Sequence, residues 1–319
     1  MYFKKFFKSQ FLTNLIIFSI IILFSSSINS FFGHKGLMPL DDLQNFNSGY
    51  RVLYGDFPFR DYYSISGPFL DIFQSFFYKF FGINWNSFIL HSSFFNSLYS
   101  ISIFFFLKNY NFSNKLALLY SLCSGLLMSP TAGNPTVEHH SLILGTISLI
   151  LFIISSREKY NILFFLVPII LLISFFIKQV PSAYFIILIS IIYFLQIFRK
   201  TKIMDILLIL IIGIIFLFLI LFFFQKNGAH IKIIFEQYIL IASSLGENRI
   251  SQINFESLFE VFKKLLFLFF CIIPLLINYL KTKNYDFLIT SFGLFILILF
   301  YELHSMNQLI TFSLLPIFI

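Results

Sequence analysis

Long apolar runs separated by short polar segments dominate this sequence. Because a membrane-crossing helix needs about 20 apolar residues, the pattern predicts ten spans: Phe11–Phe32, Phe88–Leu107, Ser113–Pro130, His139–Ser155, Ile162–Ile177, Val180–Phe198, Ile203–Phe224, Phe262–Leu280, Phe287–Tyr301 and a run from Leu309. We therefore predict an all-α, polytopic transmembrane protein, with residues 1–319 forming one domain. The last run is too short to span, so we expect a C-terminal part to be missing.

Composition agrees with this class. Hydrophobic residues make up 58% of the chain and charged residues 11%, whereas about a quarter of the residues in soluble proteins are charged. A net charge of +8 would suggest nucleic acid as the partner of a soluble domain. Here the basic residues cluster between apolar runs, so we expect no nucleic-acid partner. Cys123 and Cys271 lie inside apolar runs without the paired spacing of metal or disulfide sites.

The distribution of basic residues predicts the orientation. The first run, Phe11–Phe32, is longer than the roughly 7–15 residues of a signal-peptide core, so we interpret it as a retained helix. With a cytoplasmic N-terminus, the short inside loops hold nine Lys and Arg residues, and the short outside loops hold only Lys178. Because positively charged short loops stay inside, we predict this orientation, in a bacterial inner (plasma) membrane.

Two long segments are then extracytoplasmic, residues 33–87 and 225–260. Within the first, Gly67–Gly82 is apolar enough to span, but a span there would place the nine basic residues outside. We predict a helix lying at the membrane interface instead. In the second, Ser257 and Glu260 have capping-box spacing, which favours another interfacial helix, although a lid over a site remains the alternative.

The first long loop is unusually acidic. It carries five of the chain's 14 acidic residues, namely Asp41, Asp42, Asp56, Asp61 and Asp71. Such a concentration in a mostly apolar chain makes this loop the first place to look for chemistry.

Asp41 and Asp42 have both a structural and a functional interpretation. Pro39 followed by Asp predicts a helix start, with Asp41 capping a helix that runs to about Tyr54. A carboxylate there can also act as general base towards a hydroxyl, or help to hold a divalent metal. Adjacent helical residues point about 100° apart, so one carboxylate can cap while the other faces a cavity.

The following motif carries a resemblance. The chain continues through Gly55-Asp56-Phe57-Pro58-Phe59-Arg60-Asp61 to Gly67-Pro68. This resembles the first outside loop of multispanning C-type glycosyltransferases that use polyprenyl-phosphate sugars, especially the protein O-mannosyltransferase branch, family 39-like. There a D-E pair is followed by a helix, a G-x-x-P-Y-R-D-like turn and an interfacial helix. Here Asp replaces the second Glu, and Phe replaces the Tyr.

The resemblance implies a glycosyltransferase of the cell envelope with an extracytoplasmic active site. The donor would be a polyprenyl-phosphate-linked sugar in the lipid, the acceptor a glycan, lipid or protein, and transfer would proceed with inversion. An acidic residue of the first pair serves the chemistry in that family, which points to Asp41 first and Asp42 second.

The resemblance also suggests further site residues. The Lys-Gln pair resembles one in this group, and the predicted donor-phosphate or substrate ligands are Arg60, Asp61, Lys178 and Gln179. A second acidic motif would be formed by Glu138, His139 and His140. These residues also have structural explanations. Lys178 can extend its ammonium group to the membrane interface, and Glu138 can stabilise the start of a helix. A divalent cation, Mg²⁺ or Mn²⁺, is compatible with this chemistry, but its ligands stay unassigned.

Two other functions remain open. A transporter or a lipid or polysaccharide flippase would place ionisable residues near the middle of its spans. Asp205 and Glu302 lie at span ends instead, and His91 lies near the start of its span. A non-enzymatic scaffold would leave the acidic loop without a purpose. The sequence therefore favours the transferase.

Overall fold

The structure is a computed structural model. It describes residues 11–36, 39–64, 67–128, 133–158, 161–197, 203–251 and 253–264, together with single positions between 266 and 303. Its helices are α1 (Phe11–Gly33), α2 (Pro39–Leu53), α3 (Pro68–Phe81), α4 (Trp85–Asn109), α5 (Asn114–Met128), α6 (Val137–Glu158), α7 (Asn161–Phe175), α8 (Gln179–Ile197), α9 (Ile203–Lys226), α10 (Ile231–Ile234), a π-helix (Phe235–Leu240), α11 (Ile241–Ile250) and α12 (Phe255–Lys264). The described part contains no strand, which confirms the all-α class.

Four of these helices are long and apolar enough to cross a membrane, and they indicate a membrane protein. They are Leu12–Gly33, Trp85–Asn109, Val137–Ser156 and Leu207–Lys226. The apolar helices Asn114–Met128, Leu163–Phe175 and Gln179–Phe194 are shorter. Each of the first seven predicted spans therefore corresponds to a helix, but three of them fall below spanning length. The last three predicted spans lie largely outside the described residues, so the number ten is not confirmed.

Helices α1 and α4 run in opposite directions. Near the end of α1, Asn29 donates a hydrogen bond to the hydroxyl of Ser92, near the start of α4, over 2.8 Å. Further along, the ring of Phe18 in α1 lies 5.9 Å from that of Phe104 in α4. Buried polar contacts between apolar helices are a common source of helix association in membranes, and here they fix the register of the pair.

Helices α6, α7 and α8 also alternate in direction. The hydroxyls of Ser141 in α6 and Ser174 in α7 each lie 2.6 Å from that of Ser182 in α8. At the other end of α6 and α7, the rings of Phe152 in α6 and Phe164 in α7 are 5.9 Å apart. Helices α6 and α8 therefore begin at the end of the bundle where α7 finishes.

One end of the bundle collects the long loops, and we call it the loop end. The indole of Trp85 donates to the carbonyl of Gly33 over 3.0 Å, which brings the start of α4 to the end of α1. The ring of Phe57, in the turn after α2, lies 5.7 Å from that of Phe224 near the end of α9. The turn between α2 and α3 therefore lies at the loop end, beside the end of α9.

Helix α2 buries a polar face. It spans Pro39–Leu53, which confirms the predicted helix although it begins two residues early, so Asp41 lies in its first turn instead of at the cap. Its buried face consists of Asp42, Asn45, Ser48 and Gly49. Its outer face is mixed, because it exposes Leu40, Leu43 and Tyr50 together with Asp41, Gln44 and Asn47. A mixed outer face of this kind fits the membrane interface, where apolar and polar groups are both accommodated.

Helix α3 also buries polar side chains. The sequence places Asp71, Gln74 and Lys79 at spacings that form no single stripe, but Asp71 and Gln74 share the buried face with Tyr78, and Lys79 lies outside. The exposed positions include Phe76 and Phe80.

The two helices pack closely at Gly49. A Cβ there would lie only 2.4 Å from Cγ of Gln74.

The second long loop is helical and anchored. Tyr238 of the π-helix is buried, its hydroxyl donates to the carbonyl of Phe175, and its ring stacks on that of Phe176 at 5.6 Å. The predicted capping box at Ser257 is shifted by one turn, because Asn254 and Ser257 exchange the two bonds and Glu260 binds Lys263.

Candidate functional site

The motif after α2 forms a tight turn in which each described charge has a partner. Gly55 and Phe59 adopt positive φ angles of 99° and 67°, which only glycine enters without strain. Arg51 Nε donates to Asp56 Oδ2 over 2.7 Å, and the backbone N–H of Phe57 donates to Asp61 Oδ2 over 2.7 Å. The turn is therefore closed by its own acidic residues.

Arg60 takes part in the same closure. Its Nε donates to Asp61 Oδ2 over 2.7 Å, Nη2 to the carbonyl of Gly55 over 2.6 Å and Nη1 to the carbonyl of Asn227 over 2.9 Å. The hydrogen bond with Asp61 raises the pKa of Arg60, and it lowers that of the Asp61 carboxyl. Since all three guanidinium nitrogens are engaged, the geometry favours a structural role for Arg60 and Asp61 over phosphate binding.

Asp41 and Asp42 have different environments. Asp41 is exposed on the first turn of α2, whereas Asp42 is only 1% exposed. Asn134 Nδ2 donates to Asp42 Oδ2 over 2.9 Å. A donor that holds one carboxylate oxygen orients the carboxylate. The two carboxylates therefore lie in different surroundings, as predicted, and Asp42 is the one that faces the protein interior.

The segment Gly133–Thr136, which carries Asn134, is fixed by buried side chains. Asn29 of α1 and Ser92 of α4 donate to the carbonyl of Gly133 over 3.2 and 2.7 Å. Asn45 of α2 donates to the carbonyl of Pro135 over 3.1 Å. Three helices therefore hold the strip of backbone that orients Asp42, and the carboxylate is positioned before any ligand arrives.

Glu138 and Lys178 form an ion pair beside this segment. Their charged atoms lie 3.4 Å apart, and the side chains are 30% and 24% exposed. Gln179 is turned towards the second long loop, where its Nε2 donates to the carbonyl of Tyr238 over 2.7 Å. The pair at the loop end keeps Lys178 partly accessible, while Gln179 helps to anchor the π-helix.

The two predicted histidines point inwards instead of joining Glu138. His139 Nδ1 lies 2.6 Å from the hydroxyl of Thr136, and His140 Nδ1 lies 2.9 Å from the carbonyl of the same residue. The ring of His140 is 4.7 Å from that of His91 in α4. His91 Nδ1 in turn meets Gln74 Oε1 of α3 over 2.8 Å. The sequence did not predict this link between α3, α4 and α6.

Asp71 is a second buried carboxyl at the loop end. It is 5% exposed and accepts a hydrogen bond from the Tyr62 hydroxyl over 2.7 Å. Burial raises the pKa of Asp71 to about 7, although the bond from Tyr62 opposes the rise. The pKa of Tyr62 is raised as well, first by burial and then by the neighbouring carboxylate. Sequence reasoning missed Asp71 as a site residue, because its burial depends on how α3 docks.

The described residues do not fit a protein-held divalent cation. Among them, no group of three or more His, Cys, Asp or Glu side chains is placed to hold a metal ion. Glu138 is paired with Lys178, and its two histidine neighbours are turned away from it.

Comparison with protein-family models and with curated proteins finds no match to this chain. The resemblance of the first long loop to C-type glycosyltransferases therefore stays a prediction.

Proposed function

We propose that this protein is an integral membrane glycosyltransferase that moves a sugar from a polyprenyl phosphate to an extracytoplasmic acceptor. The observation that carries the proposal is Asp42, a carboxylate buried at the loop end and oriented by Asn134. Acidic side chains are almost never fully buried in proteins unless they have partners, and at the loop end Asn134 holds this carboxylate in a fixed orientation, as a general base requires.

In the proposed reaction, Asp42 is the general base. It accepts the proton of the acceptor hydroxyl while that oxygen forms a new bond to the anomeric carbon. The bond between this carbon and the donor phosphate oxygen breaks, and the polyprenyl phosphate leaves with the electron pair. Attack from the face opposite the leaving group inverts the configuration. Lys178, which pairs with Glu138 and is 24% exposed, is the proposed cation for the phosphate.

The proposal includes the full arrangement expected from the sequence: ten spans, a cytoplasmic N-terminus, a bacterial inner membrane and an extracytoplasmic loop end. The large apolar side chains exposed on α2 and α3, among them Leu40, Leu43 and Phe76, support interfacial positions for both helices. Reporter fusions at Ser48 and Tyr160 should report outside and inside, respectively. The opposite result would overturn the loop assignment.

Activity is tested in two stages. Mass spectrometry of surface glycans and lipid A, from cells with and without the protein, should reveal a missing sugar and so identify donor and acceptor. Asp42→Asn should then abolish transfer at unchanged membrane abundance, because the amide cannot accept the proton. Asp41→Asn tests the exposed carboxylate of the same turn and so separates its contribution to activity from that of Asp42. Full activity in both variants would refute a catalytic pair.

One observation favours the alternative, a transporter or flippase. His91 and His140 are fully buried in helices long enough to span, and their rings lie 4.7 Å apart. Buried ionisable residues in spans often mark transport pathways. Proton-coupled uptake by proteoliposomes, lost in His91→Gln and kept in the exposed control His34→Gln, would support this alternative.

A further inference from the structure

Asp71 has an environment that sets it apart from the other acidic residues of the loop. Asp56 and Asp61 pair with arginines, whereas Asp71 forms no ion pair within the described part of the chain. Its one hydrogen bond there is the bond from Tyr62 to Oδ2. A buried carboxyl without a cation is expensive to keep charged, so it is retained more easily as a neutral acid.

Among the residues that the structure describes, none supplies a positive charge in contact with Asp71. Tyr62 comes from the turn after α2, and the guanidinium of Arg51 lies over the Tyr62 ring, 4.6 Å from its centre. That guanidinium is paired with Asp56 at 2.7 Å. Along the buried face of α3, the next polar residue is Gln74, which binds His91. Burial therefore dominates, and it raises the pKa of Asp71 to about 7.

The first turn of α3 is pressed against the chain that leads into Lys178. The backbone N–H of Phe69 donates to the carbonyl of Phe176 over 3.3 Å. A Cβ on Gly67 would lie 1.7 Å from the carbonyl oxygen of Ile177, so only glycine allows this approach. Asp71 lies one helical turn after this contact, and Lys178 lies one residue after it. A neutral acid and a partly exposed ammonium group are thus brought to one region of the loop end.

We propose that Asp71 is a ligand-binding residue of this site, whose neutral carboxyl donates a hydrogen bond from Oδ1 to a phosphate oxygen of the prenyl phosphodiester donor. The inference rests on the proposed function and deepens it. A charged carboxylate would repel the phosphate, whereas a protonated one adds a donor in the same region of the loop end as Lys178 without adding charge. A neutral acid can therefore bind a singly charged phosphodiester through a hydrogen bond without repelling its charge.

The test is a binding measurement on the purified protein in detergent, with farnesyl methyl phosphate as the probe. This diester carries one charge that does not titrate between pH 6 and 8.5, so a change in affinity must come from the protein. We expect the wild-type Kd to rise about tenfold from pH 6 to pH 8.5, the value of one lost hydrogen bond. Farnesol, which lacks the phosphate, should bind equally at both pH values.

Two substitutions separate the donor role from packing. Asp71→Asn keeps a donor at every pH, so its affinity should stay near the wild-type value at pH 6 and lose its pH dependence. Asp71→Leu removes the donor and should bind the diester about tenfold more weakly at pH 6. The inference about Asp71 would be overturned if Asp71→Leu bound the diester with wild-type affinity, or if the wild-type affinity did not change with pH. Either result would leave the proposed function standing. Absence of diester binding by the wild type would overturn the proposed function as well.

Discussion

The burial of Asp71 predicts a pH-dependent stability gain on substitution. Its pKa rises from 3.8 to about 7 on folding, and each pKa unit corresponds to about 1.36 kcal/mol. The folded state is therefore destabilised by about 4 kcal/mol at pH 8, as an order of magnitude. Asp71→Asn removes this cost and keeps an oxygen that accepts the hydrogen bond from Tyr62.

The sign follows from proton binding. Below about pH 4 the carboxyl is neutral in both states, so it contributes no pH dependence. Between pH 4 and pH 7 the unfolded chain releases its proton while the folded protein retains it, so stability falls as the pH rises. Above pH 7 both states are charged and the cost is constant. The variant should gain about 1 kcal/mol at pH 4.5 and about 4 kcal/mol at pH 8.

Thermal and denaturant unfolding in detergent at these two pH values measures the effect. Matched wild-type and Asp71→Asn samples should differ in Tm far more at pH 8 than at pH 4.5. An equal gain at both pH values would show that packing, and not ionisation, is responsible. A loss of stability at pH 8 would mean that the carboxylate is stabilised in the fold, and the reasoning would fail.

Three further predictions concern the packing of the loop end. Gly49→Ala should lower the Tm by a steric cost of about 1–3 kcal/mol, whereas Gly36→Ala, with no atom within 4 Å of its Cβ, should not; equal Tm values would contradict the close approach of α2 and α3. Tyr238→Phe should speed hydrogen exchange over residues 231–250, since the anchoring hydroxyl is lost, and unchanged protection would show that stacking alone holds this segment. Asn29→Ala should cost about 1 kcal/mol in denaturant unfolding, because it removes one of the two donors to the buried carbonyl of Gly133 and the donor to the Ser92 hydroxyl; a neutral variant would argue against the fixed Gly133–Thr136 segment.

Local signals predicted the elements well. Pro39 and the two aspartates after it marked the start of α2, and Gly67 and Gly82 bracketed α3. These signals act within one or two turns of the chain, so they do not depend on the rest of the fold. The capping box at Ser257 failed for a similarly local reason, because Asn254 is a good cap one turn earlier.

The environments of the site residues could not be predicted in the same way. The Arg60 guanidinium binds the carbonyl of Asn227, 167 positions away in the chain. Asp42 meets Asn134 across 92 positions. Such contacts depend on the order in which helices meet at the loop end, and hydrophobic patterning does not encode that order. The sequence ranked Asp41 before Asp42 as the catalytic residue, but only the packing of α2 in the structure shows which of them is buried.

The polar side chains buried by α2 and α3 change how variation at these helices should be interpreted. In a water-soluble helix, apolar positions are constrained by packing and polar ones vary freely. Here Leu40, Leu43 and Phe76 lie on the outside, where any lipid-compatible side chain serves, while Asn45 and Gln74 hold fixed partners inside. A stabilised version designed by filling apolar positions and randomising polar ones would therefore preserve the replaceable surface and destroy the interior. Engineering of these helices should treat the amides as the core.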